Sequence, residues 1–457
     1  MSATGGTLRA GIIDGWCLTI AKVQTSHAAS RYHSEDKNRH ARSWDMLFIS
    51  SPTAGRFLTV ALLISVALTG PGCRTVATRQ VSDSSPAVAR LQAGGSLQVE
   101  VDNLAKPLLA SGEAYGMVVG VVLPDGTTRT FGYGRSGRPG DPNPPDGNSL
   151  FQIGSVAKVF VAMLLAQSVE EGQLHYEDTV RSILPTNIVV SADAGRVTLY
   201  ELATHTSGLP REIISARQLH SVISYLILGH DLYARLTSAY LYQYLRKWHP
   251  RDPEPHRFLY SNVGFGFLAN LIAVKTGRPA TDLIIEKICR PLNMTNSVFT
   301  LDASQQRRLA IGHVGNQACW KFPSTPMAPW EMTDLMRPVA GMYSSANDLL
   351  IFAKANLGMT HQSLESALAA THQVRIETAR GGEALGWMIN RFQDGRRVIT
   401  FKDGMVSGYR AYIGMDLDAH VAVVVLKNQF NWDDKIAHTL LLTMSGAYGS
   451  NQPQPPH

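Results

Sequence analysis

The stretch Phe151–Leu174, FQIGSVAKVFVAMLLAQSVEEGQL, decides how this chain is read. Val156, Val159, Phe160, Met163 and Leu164 recur at helical spacing, and Gly172 offers a stop. The spacing predicts a helix that Ser155 opens. Lys158 follows three residues later, so the two side chains share a helix face. A serine hydroxyl is a weak nucleophile until a base stands beside it. A lysine among apolar neighbours gives up its proton more readily, because burial penalises the charged form. The start of a helix also presents free backbone N–H groups to developing negative charge. Taken alone, Ser-x-x-Lys is common, usually as a helix cap followed by a surface lysine. The apolar surroundings of Lys158 set this copy apart.

A second candidate lies in HRFLYSNVGFGFLANLI, residues 256–272. Tyr260 and Asn262 precede a helical pattern carrying Leu268, Leu271 and Ile272. A tyrosine held beside a cation becomes a usable base, and an asparagine can donate to a substrate carbonyl. Without Ser155 and Lys158, a loop tyrosine packed on the core would be the simpler account.

Two triplets compete for a third role. Lys275-Thr276-Gly277 closes the helical run that follows Asn262. A lysine in the last turn, a glycine just beyond it and Pro279 soon after are all explained by helix termination. Lys402-Asp403-Gly404, in TFKDGMVSGYRAYIGM, instead ends one strand pattern just before another. Gly404 would let that backbone approach a ligand closely. Lys402 is therefore taken as the functional lysine, and Lys275 as a helix end.

In this order, Ser155-x-x-Lys158, Tyr260-x-Asn262 and Lys402-x-Gly404 resemble the class C β-lactamase and penicillin-binding-protein-like serine hydrolases. That family includes D-Ala carboxypeptidases and related esterases. The fragments ELATHTSGLP (Glu201–Pro210), PLNMTNSVF (Pro291–Phe299), VAGMYSSANDLLIFA (Val339–Ala353) and ALGWMI (Ala384–Ile389) extend the resemblance from about Leu97 to Gly446. It implies that Ser155 is acylated and that Lys158 assists its deprotonation. It implies that Tyr260 moves protons, that Asn262 orients the substrate amide, and that Lys402 tunes Tyr260 and helps bind a substrate carboxylate. The backbone N–H groups of Ser155 and Met405, beside Gly404, would form an oxyanion hole. No metal and no cofactor are implied, and His205 is read as structural. One residue departs from the pattern. The middle of the third motif is usually Thr or Ser, and here it is Asp403, whose charge would oppose a substrate carboxylate unless it is paired or turned away.

Fold class follows from where the strand patterns sit. Residues 116–134, GMVVGVVLPDGTTRTFGYG, read as a hairpin around Pro124-Asp125-Gly126. Residues 396–428 give further alternating or Val-rich runs, and a closing helix spans 433–445. Helical patterns dominate the middle. The expected class is α/β (α+β): an antiparallel sheet built from both chain ends, flanked by helices, with a mostly helical insertion. Segment 211–256 holds Tyr240, Tyr242 and Tyr244. It is expected either to rim the site or to pack Tyr240 and Tyr244 on the core.

The chain has 457 residues, 44% hydrophobic and 17% charged, enough for a sizeable core. Beyond Cys73 the balance is 35 basic to 32 acidic residues, too mixed for a nucleic-acid partner. Arg56, the apolar run from Phe57 to Leu68 and Gly70-Pro71-Gly72-Cys73 read as an export signal, too short for a span of roughly 20 apolar residues. Translation is expected to begin at Met46. Residues 1–45 are then a non-structural extension, 46–73 the signal, 74–96 a linker, 97–450 the hydrolase domain and 451–457 a tail. The expected location is exported, periplasmic or held to a bacterial membrane by a lipid at Cys73. The expected partner is a small-molecule or peptide substrate. Of four cysteines, Cys289 and Cys319 could form at most one disulfide, and buried thiols are the preferred reading.

Overall fold

The computed structural model describes residues 85–449, apart from 214, 252–256, 317–320, 361–362, 379–380, 393–396 and 433–434. The extension, the signal segment, Cys73, Cys319 and the tail lie outside the described residues.

Order begins earlier than expected. Residues 74–96 were to be a linker, yet Pro86–Gln92 forms a helix, α1. Ser85 caps it, its Oγ accepting from Val88 N, and Pro86 occupies a first-turn position where no N–H is needed. Val88 and Leu91 are buried. A seven-residue helix is too short to show a period, which is why the sequence pattern missed it. α2 follows at Leu97–Ala110.

The hairpin forms as β1 (Gly116–Val122) and β2 (Thr128–Gly134). The chain then turns helical: α3 (Ala157–Glu170), α4 (Ala216–Leu228), α5 (Ser238–Leu245), α6 (Asn262–Thr276), α7 (Ala346–Asn356) and α8 (Glu365–His372). Strands return as β3 (Ile376–Thr378), β4 (Gly381–Glu383), β5 (Met388–Phe392), β6 (Arg397–Val406), β7 (Tyr409–Asp416) and β8 (Val421–Lys427), and α9 (Lys435–Tyr448) closes the chain. These eight strands form one antiparallel sheet in the order β2-β1-β8-β7-β6-β5-β4-β3, and two short pairs stand apart from it, Leu150–Gln152 with Tyr343–Ser345 and Gly312–His313 with Pro326–Met327. The first strand thus lies against the last, with Met117 opposite Lys427.

β1, β7 and β8 are buried along their whole length. Unbroken apolar runs such as Val421–Leu426 fit a sheet covered on both faces. Met117, Val119 and Val121 point toward α1, α2 and α9, while Val118 and Val122 join the core that holds α3 and α7. α6 stops where Gly277 adopts φ 69°, with Lys275 exposed in its last turn. The Lys-Thr-Gly triplet there is a helix end.

Candidate active site

Ser155 sits in the tight turn Gly154–Val156 that leads into α3. Two glycines let β6 lie directly on this turn. A Cβ on Gly404 would fall 2.0 Å from Ile153 O and 2.9 Å from Ser155 N. A Cβ on Gly154, at φ +54°, would fall 2.9 Å from Met405 N. No other residue fits such gaps. The Ser155 and Met405 backbone nitrogens are thereby held along one seam.

Lys158 is fully buried beneath Ser155. Its Nζ lies 2.9 Å from Ser155 Oγ and donates to Val339 O at 3.3 Å. Burial, reinforced by the nearby Lys402 charge, pushes its pKa well below the usual lysine value. A neutral amine has one lone pair, and with an N–H spent on Val339 that lone pair can meet the serine proton.

Tyr260 is ringed by basic side chains. Its ring centroid lies 5.5 Å from Lys158 Nζ, 5.1 Å from Lys402 Nζ and 5.2 Å from Arg211 Cζ. His205 packs behind it at 4.3 Å, and His205 Nδ1 accepts from Ser261 N at 3.0 Å. Burial, then Lys158 and Lys402, keep His205 well below the usual histidine pKa. A neutral ring with its Nδ1 engaged positions the Tyr260 loop, in line with the structural reading of His205.

Lys402 is almost completely buried on β6 and donates to Asp403 O at 3.2 Å. Asp403 lines the cavity, and it is paired. Its Oδ2 lies 3.1 Å from Arg410 Nη2, and its Oδ1 lies 3.5 Å from Lys402 Nζ. Burial opposes ionisation here, but Arg410 and then Lys402 outweigh it and hold the carboxyl at about 2. The Asp403 charge therefore meets the cavity already compensated.

Asn262 opens α6 with Ser261 as its cap, Ser261 Oγ accepting from Gly264 N at 2.8 Å. Asn262 Nδ2 donates to Glu212 Oε1 at 2.6 Å and to Tyr233 OH at 3.2 Å, and Tyr233 OH donates to the same Glu212 oxygen at 2.8 Å. Burial raises the Glu212 pKa, against the pull of Asn262 and Arg211.

Ser155, Tyr260, Asn262, Asp403 and Met405 line one cavity of about 110 Å³, with Arg211, Glu212 and Tyr233. Val222, Tyr225, Trp330, Met332 and Phe430 give it an apolar wall. All the residues selected from sequence thus meet in one place, with Lys158, Lys402 and Gly404 beneath the surface. Sequence reasoning missed Arg211, Glu212, Tyr233, Arg410, Trp330 and Trp432. Arg211-Glu212 directly follows ELATHTSGLP, which was a usable signal. The segment 211–256 rims the site, but through Val222, Tyr225, Leu232 and Tyr233. Tyr240 and Tyr242 instead hydrogen-bond to Ser215 and Asn270, and with Tyr244 they pack on the core. Cys289 is a free, buried thiol. Among the described residues no His, Cys, Asp or Glu cluster could hold a metal ion.

A β-lactamase family model matches residues 101–443. The β-lactamase of Psychrobacter immobilis is 27% identical over 346 residues, covering 75% of this chain and 77% of its own. The D-alanyl-D-alanine-carboxypeptidase/endopeptidase AmpH of Escherichia coli (strain K12) is 26% identical over 341 residues, covering 71% and 82%. Among solved structures, a class C β-lactamase matches with TM-score 0.65 at 22% identity, covering 78% of this chain and 97% of that one. The D-alanine carboxypeptidase AmpC from Burkholderia cenocepacia matches with TM-score 0.63 at 24% identity, covering 77% and 99%. With Ser155 and Tyr260 lining one cavity of this fold and Lys158 beneath it, the chain belongs to the β-lactamase family as a serine hydrolase.

Proposed function

We propose that this protein is an exported acyl-enzyme hydrolase that cleaves D-alanyl-D-alanine-type peptides of the cell wall, with β-lactams as related substrates. The observation that carries the mechanism is the 2.9 Å contact between Ser155 Oγ and a fully buried Lys158 Nζ. Neutral Lys158 takes the serine proton as Oγ attacks the substrate carbonyl. The Ser155 and Met405 N–H groups receive the negative charge on the carbonyl oxygen. Tyr260 passes a proton to the departing amine and then activates the water that releases the acyl group. Lys402 stabilises charge on the Tyr260 oxygen from below. Both Asn262 amide hydrogens are engaged by Glu212 and Tyr233, so its carbonyl oxygen is the atom left to meet a substrate N–H.

Arg211 supports the peptidase reading. It lines the cavity beside Tyr260, while Lys402 is buried and held by Asp403. Carboxylate recognition is therefore assigned to Arg211 in place of Lys402. The neutralised Asp403 removes the objection that its charge raised. The apolar wall of Val222, Tyr225, Trp330 and Phe430 favours a second reading, an esterase for apolar acyl groups. A non-catalytic peptidoglycan binder would not need Lys158 poised on Ser155.

Turnover of a D-Ala-D-Ala peptide, nitrocefin and a short p-nitrophenyl ester, measured on one preparation, tests the substrate. Peptide turnover well above ester turnover is expected, and ester turnover alone would give the esterase. Ser155→Ala should lose covalent labelling by a fluorescent penicillin or a fluorophosphonate while remaining folded. Export rests on the segment from Arg56 to Cys73. Among the described residues no helix is long and apolar enough to cross a membrane. The N-terminal peptide of the protein purified from cell envelopes tests it, a start at or near Cys73 being expected.

A further inference from the structure

Glu212 carries a charge that its structural duty does not require. Its Oε1 accepts from Asn262 Nδ2 and from Tyr233 OH. A glutamine would hold the same two donors on its one carbonyl oxygen and would bring no charge to compensate. The other carboxylate oxygen, Oε2, takes no hydrogen bond from a described residue, and no basic side chain among them forms an ion pair with Glu212. Asp403 makes the contrast. Arg410 and Lys402 pair with it and hold it ionised, whereas burial raises the Glu212 pKa against the pull of Asn262 and the more distant charge of Arg211. A half-buried carboxylate with neutral partners alone is costly until a cation completes it.

The surroundings suit such a cation. Glu212 lines the same cavity as Tyr225, Tyr233 and Trp330. Both tyrosines meet Trp330 edge-on, with ring centroids 5.7 and 5.9 Å apart, and Tyr233 is bonded to Glu212 itself. Three aromatic rings thus stand in one group beside the carboxylate. Rings and a carboxylate around one space hold an ammonium group by cation–π attraction and a charge-assisted hydrogen bond. Resting on the acyl-enzyme peptidase reading above, we propose that Glu212 selects substrates whose acyl part carries a protonated amine, which donates to Glu212 Oε2. Asn262 sets which part of the substrate this is. Its carbonyl oxygen meets the N–H of the acyl amide, and Glu212 is bonded to the same side chain. The preferred class is a peptide with a free side-chain amine on the residue before the two D-alanines.

Two substrate pairs test this on the purified full-length enzyme. Acetyl-Lys-D-Ala-D-Ala with a free side-chain amine is compared with its side-chain-acetylated form. The p-nitrophenyl ester of aminohexanoic acid is compared with that of its N-acetyl derivative. The free amine is expected to raise kcat/KM at least about tenfold in both pairs, chiefly through KM, the scale of one charge-assisted hydrogen bond. Glu212→Gln keeps an acceptor for Asn262 and Tyr233, and should bring the members of each pair within about twofold of one another. Turnover of the acetylated members reports whether that variant is folded. If it is inactive on all four, salt decides on the parent enzyme: the preference should shrink as ionic strength rises, and a preference indifferent to salt overturns an ionic selection. Equal kcat/KM within a hydrolysed pair overturns the proposal, as does a preference that Glu212→Gln keeps in full. Turnover of the ester pair alone, with the amine still preferred, overturns the peptidase reading and leaves the selection by Glu212 standing. Turnover of none of the four overturns both.

Discussion

Arg410 Nη2 lies 3.1 Å from Asp403 Oδ2 across the β6–β7 hairpin. The register explains the pair: Asp403 stands opposite Tyr412, and Arg410 is two residues along the same face. A diagonal neighbour is within reach of a long side chain. An acid where the family usually has a hydroxyl is therefore answered by a base from the adjacent strand.

Asp403→Asn should cost more in folding than in chemistry. It leaves Arg410 and Lys402 without their buried counter-charge, a loss on the order of 3–5 kcal/mol for such pairs. The Asp403 carboxyl is lowered from 3.8 in the unfolded chain to about 2 in the fold. Its stabilisation is therefore present above about 4 and is lost as pH falls toward 2. The difference in Tm between parent and Asp403→Asn should shrink across that window. A constant difference would mean that the pair does not act through charge.

Lys158→Met separates stability from activity. Folding lowers the Lys158 pKa, so between that depressed pKa and 10.5 the unfolded chain binds more protons. The resulting penalty shrinks as pH rises. Lys158→Met removes the penalty, so Tm near pH 7 should hold or rise, and the gain should narrow at higher pH. Acylation should fall on the order of 10³-fold, the scale of a lost general base. A folded, fully active Lys158→Met would remove Lys158 from the mechanism.

The two lysine triplets can be set against each other. Lys402→Ala should lower kcat on the order of 10²-fold or more, since it removes charge beneath Tyr260. Lys275 is exposed at the end of α6, where a cation contributes under about 1 kcal/mol. Lys275→Ala should leave kinetics within error. Equal losses would return the Lys-Thr-Gly triplet to the site.

Arg211→Ala should raise KM for D-Ala-terminated peptides and leave neutral esters nearly unchanged. Arg211 also faces the Tyr260 ring at 5.2 Å, so kcat on both substrates should be followed. A parallel fall in kcat on both would place Arg211 with Tyr260 rather than with the substrate carboxylate.

What the sequence made legible was local. Ser155 sits in the turn that leads into α3 and Lys158 in its first turn, and the apolar period of α3 marks both the helix and the burial of the lysine. Lys275 was separated from Lys402 because Gly277 and Pro279 spell a helix end. The residues that escaped notice depend on contacts between distant segments. Arg410 meets Asp403 only once the β6–β7 register is fixed. Glu212, Tyr233 and Asn262 come from three separate stretches, and nothing in any one of them foretells a shared oxygen. α1 escaped because seven residues carry no period. The tyrosines of α5 drew attention by composition, whereas the cavity wall came from Val222, Tyr225, Leu232 and Tyr233 nearby.

The seating of β1 between β2 and β8 has a consequence for the order in which the molecule is made. Met117 to Val122 emerge early, yet their partners Ala422 to Lys427 belong to the last described strand to be synthesised. Closing so long a loop is slow, and neither face of the sheet can be sealed until it closes. A growing chain therefore stays open until its synthesis is almost finished. Removing β8 and α9 should then leave no smaller folded enzyme, because the missing piece is the seam that joins the two ends.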